Sequence, residues 1–243
     1  VLRWTEVNGG ICSSYHEKSV SFERDANAGP PQNLCGTYSA VLAGNTPAVG
    51  TGTWTLVSGP PGGTVSFTPN NHTPAATATV NIYGSYVFRW TIANGGFCSK
   101  SQTVTIGYNP SGQVNKPADQ VVCDSIFTAA VNFTTTNTGG STTFDWSNDN
   151  TSIGLANSGS GNIPSFRALN AGKAPVVATI TITPVYHNGT LNCTGTPVNF
   201  TITVNPTAQV DRPSNITVCN GSLVSVPFST QNEVGGTTYS WTN

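Results

Sequence analysis

The stretches VFRWTIANGGFC (87–98) and VLRWTEVNGGIC (1–12) agree at eight of twelve positions. After its cysteine, each runs into residues that alternate between apolar and polar, SKSQTVTIGY in one case and SSYHEKSVSF in the other. Such alternation is typical of a half-buried β-strand, and the Asn-Gly-Gly before the cysteine is typical of a turn. The stretch therefore predicts two strands joined by a turn, and its recurrence predicts a repeated unit.

A second repeat begins with NPSGQVNKPADQVVCD (109–124) and returns as NPTAQVDRPSNITVCN (205–220), 96 residues later. Both copies continue through a Gly-Gly turn into a strand with an aromatic-x-Trp pattern, TTFDWSN and TTYSWTN. Internal repeats of this kind indicate an array of similar modules. We therefore expect a segment of a longer tandem array in four pieces: the C-terminal part of a truncated repeat (1–24), two complete repeats of different type (25–107 and 108–204), and the N-terminal part of a truncated second-type repeat (205–243).

The composition favours an all-β protein that is located outside the cell. Charged residues make up 8% of the chain and the net charge is −1, so no strong field attracts nucleic acid. No apolar run is long enough to insert into a membrane. Six widely spaced cysteines favour disulfides and an oxidising compartment.

The complete repeats read as immunoglobulin-like (PKD-like) β-sandwiches, because each holds several short strand candidates separated by turn residues. The first repeat offers TYSAVLAG, GTWTLVSG, GTVSF, TATVNIYG, YVFRWTIA and SQTVTIGY. The second offers FTAAVNFTT, TTFDWSN, APVVATITITPVY and PVNFTITV, with a long loop at 158–174.

Each complete repeat holds two cysteines, which predicts the bonds Cys35–Cys98 and Cys123–Cys193. Each bond would close a loop of about 60–70 residues and stabilise its repeat by about 4 kcal/mol. Cys12 and Cys219 would then pair outside this segment. The rival pattern has bonds between repeats and joins Cys98 to Cys123. No C-x-x-C spacing indicates zinc.

Catalytic chemistry is not indicated. The three histidines (His16, His72 and His187) lie in or beside turns without a cysteine or carboxylate at motif spacing, so we interpret them as solvated. The oxygen donors of DWSNDNTS are Asp145, Asn148, Asp149 and Asn150. A turn capped by its own side chains is favoured there over a calcium site. No cofactor and no metal are expected.

The tryptophans could be sugar-stacking platforms or core residues. Trp54, Trp90 and Trp146 lie within alternating strands, and Trp4 and Trp241 repeat the positions of Trp90 and Trp146. Recurrence at one position in each copy favours the core. Arg3 and Arg89 precede a tryptophan and should face solvent.

DANAGPPQNLC, AVLAGNTPAVGTGTWTLVSGP and YVFRWTIANGGFC resemble the PKD-like repeats of very large surface proteins of Bacteroidetes. NPTAQVDRPSNITVC followed by VGGTTYSWTN resembles the second repeat type of the same proteins. The resemblance implies a secreted, non-enzymatic cell-surface adhesin of the gliding-motility type, exported by type IX secretion to the outer-membrane exterior. It also implies O-glycosylation at Ser125, within Asp124-Ser125-Ile126.

As a stalk, the segment would have the neighbouring repeats of the same long chain as partners, and a surface glycan or the substratum is a further candidate partner. The alternative is a carbohydrate-binding or spacer module of a secreted polysaccharide-degrading enzyme.

Overall fold

The computed structural model describes residues 1–95 and 98–242. The chain is all-β, with 43% strand, and it forms two compact units, Val1–Pro110 and Ser111–Asn243. Within the described ranges, no helix has the length and apolar character needed to cross a lipid bilayer.

The described residues of the first unit contain nine strands, of which all but β3 follow the predicted segments. They are β1 (Leu2–Asn8), β2 (Cys12–Lys18), β3 (Gln32–Cys35), β4 (Ser39–Val41), β5 (Thr51–Ser58), β6 (Val65–Thr68), β7 (Thr77–Val80), β8 (Gly84–Asn94) and β9 (Cys98–Asn109).

Strands β3 to β9 form a seven-stranded sandwich. One sheet has the order β3-β9-β8-β5 and the other β4-β7-β6. Strand β3 runs parallel to β9, whereas the other pairs are antiparallel. Two sheets of four and three strands in this arrangement define an immunoglobulin-like sandwich, which confirms the predicted fold class.

The core between the two sheets is aromatic. Trp54, Tyr86, Phe88 and Trp90 have no exposed surface, and Tyr108 is 1% exposed. Alternate residues of β8 supply most of these rings, as the period of two along a strand requires. The sequence pattern that predicted β8 therefore also predicts which residues of β8 form the core.

Two tyrosine hydroxyls fix the sandwich. At the start of β8, Tyr86 donates a hydrogen bond to the carbonyl oxygen of Ile82 at 2.9 Å, which is the tyrosine corner of immunoglobulin-like folds. On β9, Tyr108 donates to the carbonyl oxygen of Ala78 in the opposite sheet at 3.1 Å. Burial raises the pKa of Tyr108 to about 12, because the phenolate would lose its hydration.

Strands β1 and β2 form a separate hairpin that repeats the register of β8 and β9. Asn8 lies opposite Cys12, as Asn94 lies opposite Cys98. All residues of this hairpin are exposed, because no second sheet packs on it within the described residues.

The second unit contains six strands, of which five form one continuous path. They are β10 (Gln120–Cys123), β11 (Ser141–Asn148), β12 (Ser158–Ser160), β13 (Val176–Asn188), β14 (Leu191–Thr194) and β15 (Val198–Asn205). The sheet order is β10-β15-β13-β11-β12, and β14 also pairs with β13.

The predicted strand FTAAVNFTT (127–135) is not a regular strand. It forms isolated bridges from Phe127 to Arg167 and from Val131 to Ile163, with further hydrogen bonds between them, such as that from the amide of Thr128 to the carbonyl of Phe166 at 2.9 Å. Its partner is the loop at 158–174, which supplies bridges but no continuous strand beyond β12. The side of the sandwich opposite the six-stranded sheet is therefore irregular, although Val131, Phe133 and Ile163 still pack into the core.

Residues 205–242 repeat the opening contacts of the second unit. The amide of Gln113 donates to Asn137 Oδ1 at 2.7 Å, and the amide of Gln209 donates to Asn232 Oδ1 at 2.9 Å. Each of these asparagines also donates through Nδ2 to the carbonyl two residues before its glutamine. The sequence repeat therefore corresponds to a repeat of local structure.

Candidate functional site

The aromatic residues that could have bound a sugar are core residues in the sandwich of the first unit. Trp54 on β5 lies opposite Trp90 on β8, and their ring centroids are 4.9 Å apart. Their indole N–H groups donate to the carbonyls of Pro74 and Asn45, each at 3.1 Å. The prediction that these two tryptophans are core residues is confirmed.

Glycines make room for this pair of rings. A Cβ on Gly52 would lie 2.1 Å from Cζ2 of Trp90, and one on Gly44 would lie 3.0 Å from both tryptophans. In the second unit, Trp146 is 8% exposed and lies opposite Gly159, whose added Cβ would fall 2.3 Å from Trp146 Cζ2. In both units, therefore, a glycine without a Cβ leaves the space that a buried indole ring occupies.

The repeated tryptophans at either end of the sequence are not buried. Trp4 is 58% exposed and Trp241 is 71% exposed. Trp4 lies opposite His16, as Trp90 lies opposite Gln102, so the position in the hairpin is the same and only the covering sheet differs. The expectation of core burial is wrong for these two residues in this structure.

The arginines before the repeated tryptophans face solvent, as predicted. Arg89 is exposed. Arg3 forms an ion pair with Glu17 across the β1–β2 hairpin, and its guanidinium lies 4.3 Å from the centroid of the Tyr15 ring. These contacts stabilise a hairpin surface and form no binding site.

The histidines contact hydroxyl, amide and carbonyl groups. His72 Nδ1 is 3.0 Å from the carbonyl oxygen of Gly52. His187 lies between Thr143 Oγ1 and Asn192 Oδ1, each at 2.7 Å. His16 is exposed on β2. Among residues 1–95 and 98–242, no cluster of three or more His, Cys, Asp or Glu could hold a metal ion.

The turn after β11 caps itself, as predicted. Asn150 Oδ1 accepts from the amide of Ser152 and opens a one-turn 3₁₀ helix, Thr151–Ile153. Asn148 Oδ1 accepts from the amide of Asn150 at 3.0 Å, and Asp149 Oδ1 accepts from the amide of Thr179 at 2.7 Å. These side-chain oxygens therefore accept hydrogen bonds from backbone amides, whereas Asp145 is exposed.

Ser125 lies in a tight turn directly after β10. It is exposed, and its φ of 67° is the only positive φ of a non-glycine residue among the described residues. Its hydroxyl donates to Asp124 Oδ2 at 3.1 Å. Asp124 also accepts from the amide of Asn170 at 2.7 Å, and this hydrogen bond is the main reason that the pKa of Asp124 is lowered.

Two further carboxylates fix the backbone, and no sequence pattern indicated either. Glu23 accepts from the amides of Ala48 and Val49 at 2.9 and 2.8 Å, which lowers the pKa of Glu23. Asp119 accepts from the amide of Thr201 at 2.7 Å, which lowers the pKa of Asp119. Both contacts fasten the segment that leads into a sandwich to a strand or loop of that sandwich.

The predicted pair Cys35 and Cys98 is not brought together. Cys35 lies opposite Asn109, the last residue of β9, whereas Cys98 is the first residue of the same 12-residue strand. At about 3.3 Å per residue, the two cysteines are about 36 Å apart, and a disulfide requires Cα atoms within about 7 Å. No bond can therefore form between them within this sandwich.

The predicted pair Cys123 and Cys193 is separated in the same way. Cys123 lies opposite Asn205 at the end of β15, beside the start of β13. Cys193 lies opposite Tyr186, near the other end of that strand, which places the two about 33 Å apart.

The oxidation state of each cysteine agrees with the long distances within both predicted pairs. The thiols of Cys98 and Cys123 are free and exposed, as are those of Cys12 and Cys219, while Cys35 and Cys193 are each disulfide-bonded. The predicted pairing rested on the presence of two cysteines in each complete repeat, and this count carries no information about which end of a strand a cysteine occupies.

The fold and these side-chain roles together define a chain of immunoglobulin-like β-sandwich modules, whose polar groups serve mainly to fix the backbone.

No protein-family model matches the chain. No curated protein matches it either.

Solved structures with a similar arrangement of strands are PKD and immunoglobulin-like domains. The PKD domain from the KIAA 1837 protein is 22% identical, with a TM-score of 0.33 over 41% of this chain and 100% of that one. The insect immune protein hemolin is 11% identical, with a TM-score of 0.43 over 83% of this chain and 55% of that one. An I-band fragment of titin is 14% identical, with a TM-score of 0.38 over 80% of this chain and 70% of that one. At such low identities and scores, no activity or partner is carried over to this chain.

Proposed function

We propose that this chain is part of the stalk of an extracellular adhesin, in which tandem immunoglobulin-like modules hold an adhesive region away from a surface. The observation that carries the proposal is the repetition itself. Two units with separate hydrophobic cores follow each other in the chain, and residues 205–242 begin the same local structure again. Arrays of such modules gain length with each copy.

The side chains within the modules support a structural role. The tryptophans of the two sandwiches, which a sugar-binding module would present to solvent, lie in the cores. The carboxylates with lowered pKa accept backbone N–H groups. These groups are already occupied by the fold, and the proposed role includes no enzymatic activity.

The resemblance to the surface repeats of Bacteroidetes supports the finer part of the proposal. The parent protein would be a gliding-motility adhesin, exported by type IX secretion and displayed outside the outer membrane. The repeat boundaries given above (25–107 and 108–204) are part of the proposal, and the division of the chain after Pro110 supports the boundary between the two complete repeats.

Glycosylation at Ser125 is part of the same proposal. Its support is the exposure of the Ser125 hydroxyl in a turn beside Asp124. Intact mass and glycopeptide mapping of the natively secreted protein would test it. A hexose-containing mass on the peptide that contains Ser125 is expected, and an unmodified peptide would contradict the assignment.

One experiment distinguishes the stalk role from the carbohydrate-binding alternative. The 243-residue chain is applied to a glycan array and to isothermal titration with any oligosaccharide that gives a signal. We expect no specific binding at millimolar ligand. Saturable binding that is lost in a Trp4→Ala or Trp241→Ala variant would instead support the carbohydrate-binding alternative, because these are the exposed tryptophans.

Hydrolysis of polysaccharide by the same preparation would contradict the non-enzymatic role.

A further inference from the structure

Two tyrosines stack on each other at the surface of the first unit. Tyr38 directly precedes β4, and Tyr83 directly precedes β8. Their ring centroids are 4.2 Å apart and their planes differ by 19°, so the rings are nearly parallel and in direct contact. Tyr38 is 42% exposed, whereas Tyr83 is half-buried and packs against the core of the sandwich. The pair is therefore closely packed and also open to solvent.

Backbone hydrogen bonds hold Tyr38 in its position. The amide of Val80, at the end of β7, donates to the carbonyl oxygen of Tyr38 at 2.9 Å. On the two sides of Tyr38, the amide of Ser39 donates to Thr37 Oγ1 at 3.1 Å. The turn that carries the first ring is thus fixed to the edge of the three-stranded sheet.

The loop that carries Tyr83 is fixed as well. The hydroxyl of Tyr86 donates to the carbonyl oxygen of Ile82 at 2.9 Å, directly before Tyr83. Asn81 Oδ1 accepts from the amide of Thr64 at 2.7 Å, which ties the same loop to the start of β6. Since both backbones are held by the sandwich, the contact between the two rings is a property of the fold.

The two phenol groups also interact through their hydroxyls. Burial raises the pKa of Tyr83, and the side-chain hydrogen bond with Tyr38 raises it further. Nearly parallel rings with neighbouring hydroxyls also bring together the ring carbons next to those hydroxyls. Tyrosyl radicals couple at these ortho carbons, and a reaction between groups that are already in place avoids the entropic cost of bringing them together.

The other tyrosines of the described ranges lack this combination of contact and exposure. Tyr86 and Tyr108 have ring centroids 5.5 Å apart, but their planes are nearly perpendicular, at 87°, and both are buried. Tyr239 stacks on Phe228, which has no hydroxyl and cannot form a phenoxyl radical. The stacked pair is therefore the one at which an external oxidant meets two phenols in contact.

We propose that Tyr38 and Tyr83 form an oxidative cross-linking site, at which hydrogen peroxide, acting through a haem peroxidase, joins the two rings as dityrosine. Each phenol gives one electron and its hydroxyl proton. The two radicals form one carbon–carbon bond between their ortho carbons, and the hydrogens on these carbons move to the phenol oxygens. In total the rings lose two protons and two electrons, which convert one molecule of hydrogen peroxide to two of water.

The cross-link closes the part of the chain that contains β4 to β7. A covalent bond between Tyr38 and Tyr83 restricts the unfolded chain between them, which stabilises the folded sandwich. The site lies within one sandwich and is independent of the proposed stalk role. The reaction belongs to an oxidising exterior, where covalent links formed by oxidation persist.

Peroxidase treatment of the 243-residue chain tests the site. The free thiols are first alkylated, because a new disulfide would also remove two hydrogens. The dilute chain then receives a haem peroxidase and one equivalent of hydrogen peroxide, and is denatured and digested with chymotrypsin. This protease cleaves at Trp54 and Phe67, between the two tyrosines, so the cross-link appears as two joined peptides in the mass spectrum.

The expected product is a monomer with dityrosine fluorescence and a mass lower by two hydrogen atoms. Its digest should contain the peptide of Tyr38 joined to the peptide of Tyr83, and reductant should leave this link intact. The denaturation temperature should rise relative to the untreated chain. An unmodified monomer, a link between another pair of tyrosines, or dimers without an internal link would each overturn the proposal.

Tyr38→Phe and Tyr83→Phe retain both rings but remove one phenol hydroxyl. In each variant the linked peptides and the rise in denaturation temperature should be lost, while near-ultraviolet circular dichroism before oxidation verifies that the sandwich is folded. Tyr15→Phe on β2 is the matched control and should give the same link as the parent. Persistence of the link in Tyr38→Phe, or its loss in Tyr15→Phe, would refute the assignment.

Discussion

At the scale of single residues, the first sandwich depends on a glycine that faces a tryptophan. Trp90 is completely buried, and its ring occupies the space where a Cβ on Gly52 would lie. The backbone of Gly52 needs no left-handed conformation, so the requirement for glycine at this position is one of space alone.

We therefore expect Gly52→Ala to destabilise the first unit. The new methyl would lie 2.1 Å from Trp90 Cζ2, and forcing a rigid ring to move in a packed core costs about 1–3 kcal/mol. Urea unfolding followed by tryptophan fluorescence measures the change. The control is Gly235→Ala, where a Cβ meets nothing within 4 Å, and a surface change of this kind should stay within about 0.5 kcal/mol. Equal stability of the two variants would contradict the steric explanation.

The recurrence of Trp90 along the sequence predicted its place in the core, but nothing in the sequence predicted Gly52 as its partner. That relation depends on the register between β5 and β8, in which Gly52 lies opposite Ile92 and next to the Trp54–Trp90 pair. Registers between strands far apart in sequence are set by packing and turn geometry together. For the same reason, the exposure of Trp4 could not be foreseen from its position in the repeat.

At the scale of elements, the hydroxyl of Tyr108 connects the two sheets. It reaches from β9 to the carbonyl of Ala78 on β7. The pKa of Tyr108 is raised to about 12, against about 10 in an unfolded chain. The folded state therefore holds this proton more tightly. The corresponding stability is present below pH ~10 and is lost as the pH rises from about 10 to 12.

The Tyr108→Phe variant should lose about 1 kcal/mol at pH 7, because one buried hydrogen bond is removed. Its stability should also fall less steeply than that of the parent between pH ~10 and 12. Urea titrations at pH 7 and at pH 11 measure both effects. Tyr15→Phe, on the exposed strand β2, is the control and should match the parent. An alkaline slope unchanged by Tyr108→Phe would show that another group controls alkaline unfolding.

Glu23 acts on a different element, the segment that leads into the first sandwich. Its carboxylate accepts two amides of the loop before β5, chiefly that of Ala48, which lowers the pKa of Glu23. The stabilisation that this carboxylate gives is therefore present above its unfolded pKa of ~4.3 and is lost as the pH falls through the lower, folded value.

Replacing Glu23 by glutamine should lower the unfolding free energy at pH 7 and flatten its decline below pH ~4.5, because a neutral amide has no proton to gain. The measurement is a series of urea titrations between pH 3 and pH 7. Glu6→Gln on the exposed strand β1 should behave like the parent. Parallel pH profiles for Glu23→Gln and the parent would contradict the proposed role of the carboxylate.

The strands themselves were largely predictable, whereas their partners were less so. Alternation along YVFRWTIA and SQTVTIGY indicated β8 and β9, because the side-chain period of a strand is visible in sequence. FTAAVNFTT has similar residues and yet forms only isolated bridges at Phe127 and Val131. A continuous strand needs a neighbour that offers backbone groups at regular intervals along its length. The loop at 158–174 bonds to this segment at separate points, among them Phe166 to Thr128 and Ile163 to Val131.

The disulfide pairing predicted from the cysteines was wrong for a related reason. Two cysteines per repeat suggested one bond per repeat, but the direction of β9 and β13 places them at opposite ends of each sheet. Strand direction is a property of the assembled sandwich, and spacing along the chain does not contain it.

At the scale of the whole molecule, each unit has its own core, one built around Trp54 and Trp90 and the other around Trp146 and Ile180. Units with separate cores should respond separately to changes inside them, because the effects of substitutions at distant sites add independently.

Gly159→Ala is the counterpart of Gly52→Ala in the second unit, since its Cβ would lie 2.3 Å from Trp146 Cζ2. In reduced protein, we expect Gly52→Ala to shift one denaturation transition and Gly159→Ala to shift another. Differential scanning calorimetry resolves the two transitions. If both substitutions moved a single shared transition, the units would unfold as one cooperative body.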